Sequence, residues 1–275
     1  MPDTIRVLLS DDGSYWQSEV RVSSDSNFRV ICGQTETSYK KGTEIDLVEL
    51  TGDADPVSLT IIPEKQGKLT VESLHKSEGA PSYRGKLQIK KQENKYCIVN
   101  ELAFEEYLYA VVSSEMPSSY EKEALKAQAV AARTRAVRQQ LDGGCSRHPG
   151  ADICGDSACC QGYVGEAACR EKWGGEFELY RKRVMQAALE TRDELLRYDG
   201  EPITVMYHAM SGGRTEDVQA VFSQSLPYLV SVDSAGEESA RGFYTDATFS
   251  YEEAARLLNA YFIGLNLTAQ RLRQT

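Results

Sequence analysis

The chain has no apolar stretch approaching the roughly 20 residues that a membrane-spanning helix needs. Nor does it open on a secretory leader, which would need a basic start and a longer apolar run. Met1-Pro2-Asp3 leads almost directly into Ile5-Arg6-Val7-Leu8-Leu9, which reads as a first strand. An exported or anchored form would carry such a segment in addition. Positive charge is also in short supply: 41 acidic residues stand against 31 basic ones, a formal net charge of -10. Nucleic-acid binding depends on clustered Lys and Arg, so this balance argues against it. It also gives no broad electrostatic attraction to an anionic surface such as a membrane. Internal repeats are absent, and no low-complexity segment is long enough to act as a linker. What is left is an ordinary globular composition, 275 residues with 41% apolar and 26% charged, enough for one large domain or two modest ones.

The first hundred residues are a succession of short β-type runs between turn residues. Ile5–Leu9, Phe28–Cys32, Glu44–Leu50, Val57–Ile62, Lys68–Ser73, Leu87–Lys91 and Tyr96–Val99 have the alternation and β-branched content of strands. The pattern then turns helical. Phe104, Leu108, Val111 and Val112 make one apolar stripe, and Pro117 ends that helix. Ser118 and Glu121 stand in capping-box spacing ahead of a second helix that runs to about Leu141. Gly143-Gly144 opens a long cysteine-rich loop to Gly174-Gly175, and a third helix covers roughly Glu176 to Leu189. Strand-like Glu194–Tyr198 and Ile203–Tyr207 flank an Asp199-Gly200 turn, and a final helix starts at Ser250 with Glu253 as its box partner. The fold class expected is α+β, with a β-rich region over 1–80 ahead of a core over 81–275.

Seven cysteines are unevenly placed: Cys32 and Cys97 stand alone, while Cys145, Cys154, Cys159, Cys160 and Cys169 crowd into one loop. An odd total cannot pair completely within one chain. His148, Cys154 and Cys160 form an H-x5-C-x5-C array that suits tetrahedral zinc with a fourth ligand to be found. The spacing is not that of a zinc ribbon, and an oxidising compartment could instead join these residues as disulfides, with Cys145 and Cys169 the better pair.

Glu115 lies between two helices in Ser113-Ser114-Glu115-Met116-Pro117. A carboxyl there can point into a groove, where apolar neighbours would raise its pKa as a general acid requires. Alone, such a residue is as readily a surface glutamate. Lys126 and Arg133, seven apart on the second helix, share a face that could hold a sugar or simply be solvated. Tyr207 and His208, with Ser211, Gly212, Gly213 and Thr215, offer hydrogen bonds and close backbone approach to a ligand, or a tight turn and no more.

Four ordered blocks together resemble the stage II sporulation protein D family, which includes amidase enhancers. They are Tyr83-Arg84-Gly85 with Val99-Asn100 and Glu106-Tyr107-Leu108, then Glu115-Met116-Pro117 with Glu123 to Thr134. Asp152-Ile153-Cys154 with Cys160-Gln161-Gly162-Tyr163 comes next, and last Tyr207-His208, Ser211-Gly212-Gly213, Thr215 and Pro227-Tyr228-Leu229. The resemblance implies a peptidoglycan lytic transglycosylase of sporulation and engulfment. It would cut MurNAc-GlcNAc bonds of peptide-stripped strands and leave 1,6-anhydro-MurNAc ends. Glu115 becomes the catalytic residue, and Lys126 and Arg133 fall on the functional helix. The same resemblance implies a partner amidase, membrane-anchored engulfment proteins, an extracytoplasmic location and an N-terminal anchor in the full-length protein. Cys159 stands where family members commonly carry His, which leaves the zinc ligand set open. The alternatives are a non-catalytic glycan-binding enhancer of an amidase and a zinc hydrolase with a metal-activated water.

Overall fold

The computed structural model describes residues 2–10, 14–75, 79–147, 150–262 and 264–273. It is α+β. In chain order the strands of the first part are β1 (Thr4–Leu8), β2 (Arg21–Ser24), β3 (Phe28–Cys32), β4 (Thr35–Tyr39) and β5 (Ile45–Asp46). They are followed by β6 (Val57–Pro63), β7 (Leu69–Val71), β8 (Ser82–Tyr83), β9 (Lys86–Gln92) and β10 (Lys95–Ala103). A late strand, β11 (Ile153–Cys154), comes from the cysteine-rich loop. One sheet has the order β11-β1-β10-β9-β6-β3-β4, and a smaller one has the order β5-β2-β7-β8.

β10 shows why these runs become strands. Tyr96, Ile98, Asn100 and Leu102 are buried while the residues between them are not, the period of two that a pleated strand imposes. Its antiparallel partner β1 sets Ile5 opposite Leu102 and Val7 opposite Asn100. β1, β3, β4 and β6 share the large sheet with β9 and β10, so that sheet runs from the β-rich start on past residue 80. The chain divides into the compact units Met1–Val205 and Met206–Thr275.

Two local expectations give way. Of the run Glu44–Leu50 only Ile45–Asp46 pairs, because Asp46 accepts a hydrogen bond from the Val48 amide at 2.8 Å and caps a short helix, α1 (Leu47–Thr51). β4 has almost no apolar residue to announce it; its pairing with β3 makes it a strand.

α2 (Phe104–Glu115) follows β10 directly and buries Phe104, Leu108, Val111 and Val112, the predicted stripe. Met116 is extended, as the residue before Pro117 must be, and ends the helix. α3 (Lys122–Leu141) begins one turn later than its cap signal suggests. Tyr120 closes a turn onto the Pro117 carbonyl at 3.0 Å, so Ser118 is buried inside that turn and the Ser118–Glu121 box does not form. Within the expected loop lies α4 (Glu166–Trp173), followed by α5 (Phe177–Glu190). Val112, Leu125, Ala129, Cys169, Trp173 and Val184 make a core shared by the four helices. A second core joins Ile5, Val7, Leu108, Ala132 and Ala136 to Cys145, Cys154 and Cys160. The hairpin β12 (Arg197–Tyr198) and β13 (Glu201–Pro202) turns at Asp199-Gly200.

The second unit carries α6 (Val218–Phe222), α7 (Tyr251–Tyr261) and α8 (Ala269–Leu272), and the capping box of Ser250 and Glu253 forms at the start of α7. Among the described residues no helix is long and apolar enough to cross a membrane.

Arg133 corrects an expectation. It is fully buried, and it spends its guanidinium on the end of α5, donating to the Ala188 carbonyl at 2.8 Å and to Thr191 Oγ1 at 3.3 Å. The last carbonyls of a helix lack intrahelical partners, and a cation there answers both the hydrogen bond and the dipole. A glycan cannot reach it. Replacing Arg133 with Met should lower unfolding stability by about 2–4 kcal/mol in denaturant titration, since buried carbonyls lose their donors. Lys126→Met should leave the unfolding midpoint close to that of wild type, as expected for a surface ion pair.

Candidate functional site

The cysteine cluster is assembled by three separate elements. Cys145 follows α3 through Gly143-Gly144, both at positive φ, and its amide donates to the Ala151 carbonyl at 3.1 Å. A Cβ on Gly144 would stand 2.5 Å from that same carbonyl oxygen, so the tight exit from α3 requires glycine. Cys154 ends β11, which pairs parallel to β1 with Leu8 opposite Cys154. Cys159 and Cys160 close a turn onto the Asp156 carbonyl at 3.1 and 2.8 Å, and the Asp156 side chain caps the Ala158 amide.

The four sulfurs of Cys145, Cys154, Cys159 and Cys160 lie within 4.8 Å of one another. Three of the separations are 3.6 Å for Cys160–Cys145 and 3.8 Å for Cys145–Cys159 and Cys160–Cys159. A tetrahedral ion with metal–sulfur bonds of about 2.3 Å has sulfur–sulfur edges of about 3.8 Å. The donor set therefore fits a metal. Hydrogen bonding from the Cys154 thiol pulls the Cys160 pKa below the usual thiol range, and Gln139 donates to the same sulfur at 3.2 Å. Of the expected ligands, Cys154 and Cys160 are in the cluster and His148 lies outside the described residues. Cys145 and Cys159 complete it; the sequence signals Cys159 by its place where the family commonly carries His, and Cys145 only by proximity in the chain. Cys169 does not join Cys145: it is buried among Tyr109, Val112 and Trp173.

The segment leaving the cluster is tied down residue by residue. Gln161 accepts from the Tyr107 hydroxyl at 2.8 Å, the Gly162 amide donates to Glu115 Oε1 at 3.0 Å, and the Tyr163 hydroxyl donates to Asn100 Oδ1 at 2.8 Å. Asn100 in turn donates to the carbonyls of Arg84 and Lys86 at 2.8 and 3.2 Å, straddling Gly85 at φ 80. Glu115, the last residue of α2, is half-buried, and the neighbouring Met116 packs against the helical core. Residues that the sequence placed in separate blocks are thus one connected network.

Other expected site residues have internal duties. Lys126 pairs with Glu123 at 3.1 Å and reaches Glu190 at 4.0 Å. In the second unit, Gly212 and Gly213 do form the tight turn, at φ 80 and 100, but its donors converge on a carboxylate of the chain itself. Glu237 accepts from the Ser211 amide at 2.9 Å, the Ser211 hydroxyl at 2.7 Å, the Gly213 amide at 3.0 Å and the Ser234 hydroxyl at 2.9 Å. The Ser211 hydroxyl contributes most to holding Glu237 down at about 2. Thr215 Oγ1 accepts from the Val232 amide at 2.9 Å, Tyr207 is half-buried, and His208 is exposed.

The span from the end of β9 to β12, residues 92–198, matches the profile of the SpoIID family, described as stage II sporulation protein. It contains Glu115 and every residue of the cysteine cluster. Stage II sporulation protein D of Bacillus subtilis (strain 168) is 32% identical over 166 residues, 60% of this chain and 48% of that protein. Its counterpart from Bacillus amyloliquefaciens is 32% identical over 177 residues, 64% and 52% of the two chains. The chain spans about half the length of these curated relatives. An amidase enhancer of Bacillus subtilis is 32% identical over 123 residues, 45% of this chain and 14% of that protein. Residues 207 to 215 fall outside the SpoIID-family span.

Two outcomes test this geometry. Cys145→Ser and Cys159→Ser should each release metal as readily as Cys154→Ser, while Cys169→Ser retains it, measured as bound metal after dialysis against a chelator. Retention by Cys159→Ser would remove it from the ligand set. Glu237 has a folded pKa below its unfolded value of about 4.3, so its contribution is whole above that pH and is lost as pH falls toward about 2. The Ser211 and Gly213 amide resonances should therefore shift in that acid window and stay still in Glu237→Gln.

Proposed function

We propose that the protein is a peptidoglycan lytic transglycosylase of sporulation, acting on peptide-stripped glycan strands outside the cytoplasm with Glu115 as its acid and base. The observation that carries this reading is the tie between Glu115 and the loop that leaves the cysteine cluster, both inside the SpoIID-family span.

The chemistry needs one carboxyl group. In its acid form Glu115 gives a proton to the oxygen joining MurNAc C1 to the next GlcNAc, and the C1–oxygen bond breaks. The carboxylate then takes the proton from the muramyl 6-hydroxyl as that oxygen bonds to C1. A 1,6-anhydro end results, the proton is back on Glu115, and no water is consumed. Glycoside hydrolases ordinarily need a second carboxylate to deliver water or form a covalent intermediate, and this route does not.

Cys145, Cys154, Cys159 and Cys160 would hold a Zn²⁺ ion, whose contribution is to fold the loop beside Glu115. Four thiolates complete a tetrahedral shell and leave no position for a reactive water, which favours a structural centre over a zinc hydrolase. A second reading has support from the amidase-enhancer relative: a non-catalytic glycan binder that stimulates an amidase. In either case the partners would be glycan strands, a wall amidase and membrane-anchored engulfment proteins, with the full-length protein itself anchored.

Mass spectrometry of denuded strands after incubation separates the two. Anhydro-muramyl products with wild-type protein, and a loss on the order of 10²-fold or more with Glu115→Gln, are expected for removal of a general acid. Undiminished cleavage by Glu115→Gln would move the catalytic role elsewhere; absence of anhydro products with intact glycan binding would favour the enhancer.

A further inference from the structure

Glu115 is held by an atom that side-chain reasoning passes over. The buried Gly162 amide, two residues beyond Cys160, donates to Glu115 Oε1 at 3.0 Å. That amide has little freedom. Cys160 fixes the chain behind it by its place among the four sulfurs, and Gln161 and Tyr163 on either side are bonded to Tyr107 and Asn100 at 2.8 Å each. The approach is close enough that a side chain at residue 162 would have to push the Ser114 hydroxyl aside. A Cβ there would collide with Ser114 Oγ and stand 3.2 Å from Ser114 Cβ and 3.6 Å from Glu115 Oε1.

We infer that Gly162 is a positioning residue that distinguishes the two oxygens of Glu115: its amide holds Oε1 as the acceptor and leaves Oε2 to pass the proton. The inference rests on the transglycosylase reading. Of the two oxygens of a carboxylic acid, the carbonyl oxygen is the stronger acceptor. An N–H aimed at Oε1 therefore selects the form with the hydroxyl on Oε2. After proton donation, the same N–H makes a charge-assisted bond to the carboxylate, so Glu115 keeps its orientation for taking the proton from the 6-hydroxyl. A small residue at 162 and a small residue at 114 are both needed for the contact, which makes them a size-matched pair. The metal cluster and the carboxyl are then coupled mechanically, through three residues of backbone.

Kinetics on denuded glycan test the pair. Gly162→Ala should lower kcat on the order of tenfold to hundredfold, the cost of misplacing a reacting group by up to about 1 Å, with KM and bound metal retained. Ser114→Gly with Gly162→Ala, which removes the obstructing atoms, should return kcat to within about threefold of wild type. A merely structural glycine would show parallel changes in stability and KM instead. If Glu115→Gln is inactive while Gly162→Ala keeps its kcat, the positioning role fails and the transglycosylase reading stands; if Glu115→Gln is active, both fail. Should Gly162→Ala not fold, the double variant decides: a folded, metal-loaded double with a hundredfold lower kcat overturns the inference. Should neither variant fold, amide exchange of Gly162 in the wild type compared with Glu115→Ala decides, with at least tenfold acceleration expected from loss of the acceptor. Unchanged exchange overturns it.

Discussion

The Asp152 carboxylate is the constraint on which the site depends. It accepts from the Arg6 amide at 2.8 Å, the Arg6 guanidinium at 2.7 Å and Gln140 at 2.9 Å, joining the cysteine loop to the edge of the large sheet and to α3 in one stroke. Burial works against ionisation there, yet these donors outweigh it and keep Asp152 below the ordinary carboxylate range. The next two residues become β11 because Asp152 has already delivered them to β1. Cys154 is thereby set at a fixed distance from Cys145, which leaves α3, and from Cys160, which packs under Gln139. Without that anchor the thiols would be neighbours in sequence only.

From this anchor the connections run outward in one direction. The sheet edge fixes Cys154, the cluster fixes Cys160, and the three residues after Cys160 fasten to Tyr107, Glu115 and Asn100. Asn100 extends the chain of contacts to the Arg84-Gly85-Lys86 turn, where a Cβ on Gly85 would strike the Glu101 carbonyl. A carboxyl group at the end of a helix would ordinarily explore several rotamers in water. Here backbone held from two sides restricts it.

Charge follows the same economy of position. Arg133 and Lys126 share a helix face in sequence, but one caps the end of α5 in the interior and the other pairs with Glu123 and Glu190 at the surface. In the second unit, the Ser211 and Gly213 amides that suggested a ligand site receive Glu237. Polar groups that look available along the chain are, in each case, partners of other residues of the protein.

How far the chain could be read in advance depended on the range of the forces involved. Period-two alternation in β10, the apolar stripe of α2, the Pro117 stop, the Ser250 box and the α+β class are local properties, and these appear as expected. So does the concentration of thiols, four of which meet in one cluster. What the sequence could not decide was everything that requires two distant segments to meet: that Arg133 faces inward, and that the first strands share a sheet with β9 and β10. Above all, Cys145 and Cys159 complete the cluster only because β11 pairs with β1, a contact between residues 7 and 153. Local propensity is written in neighbouring side chains; the site is made by sheet register and helix packing, whose energies belong to pairs of residues far apart in the chain.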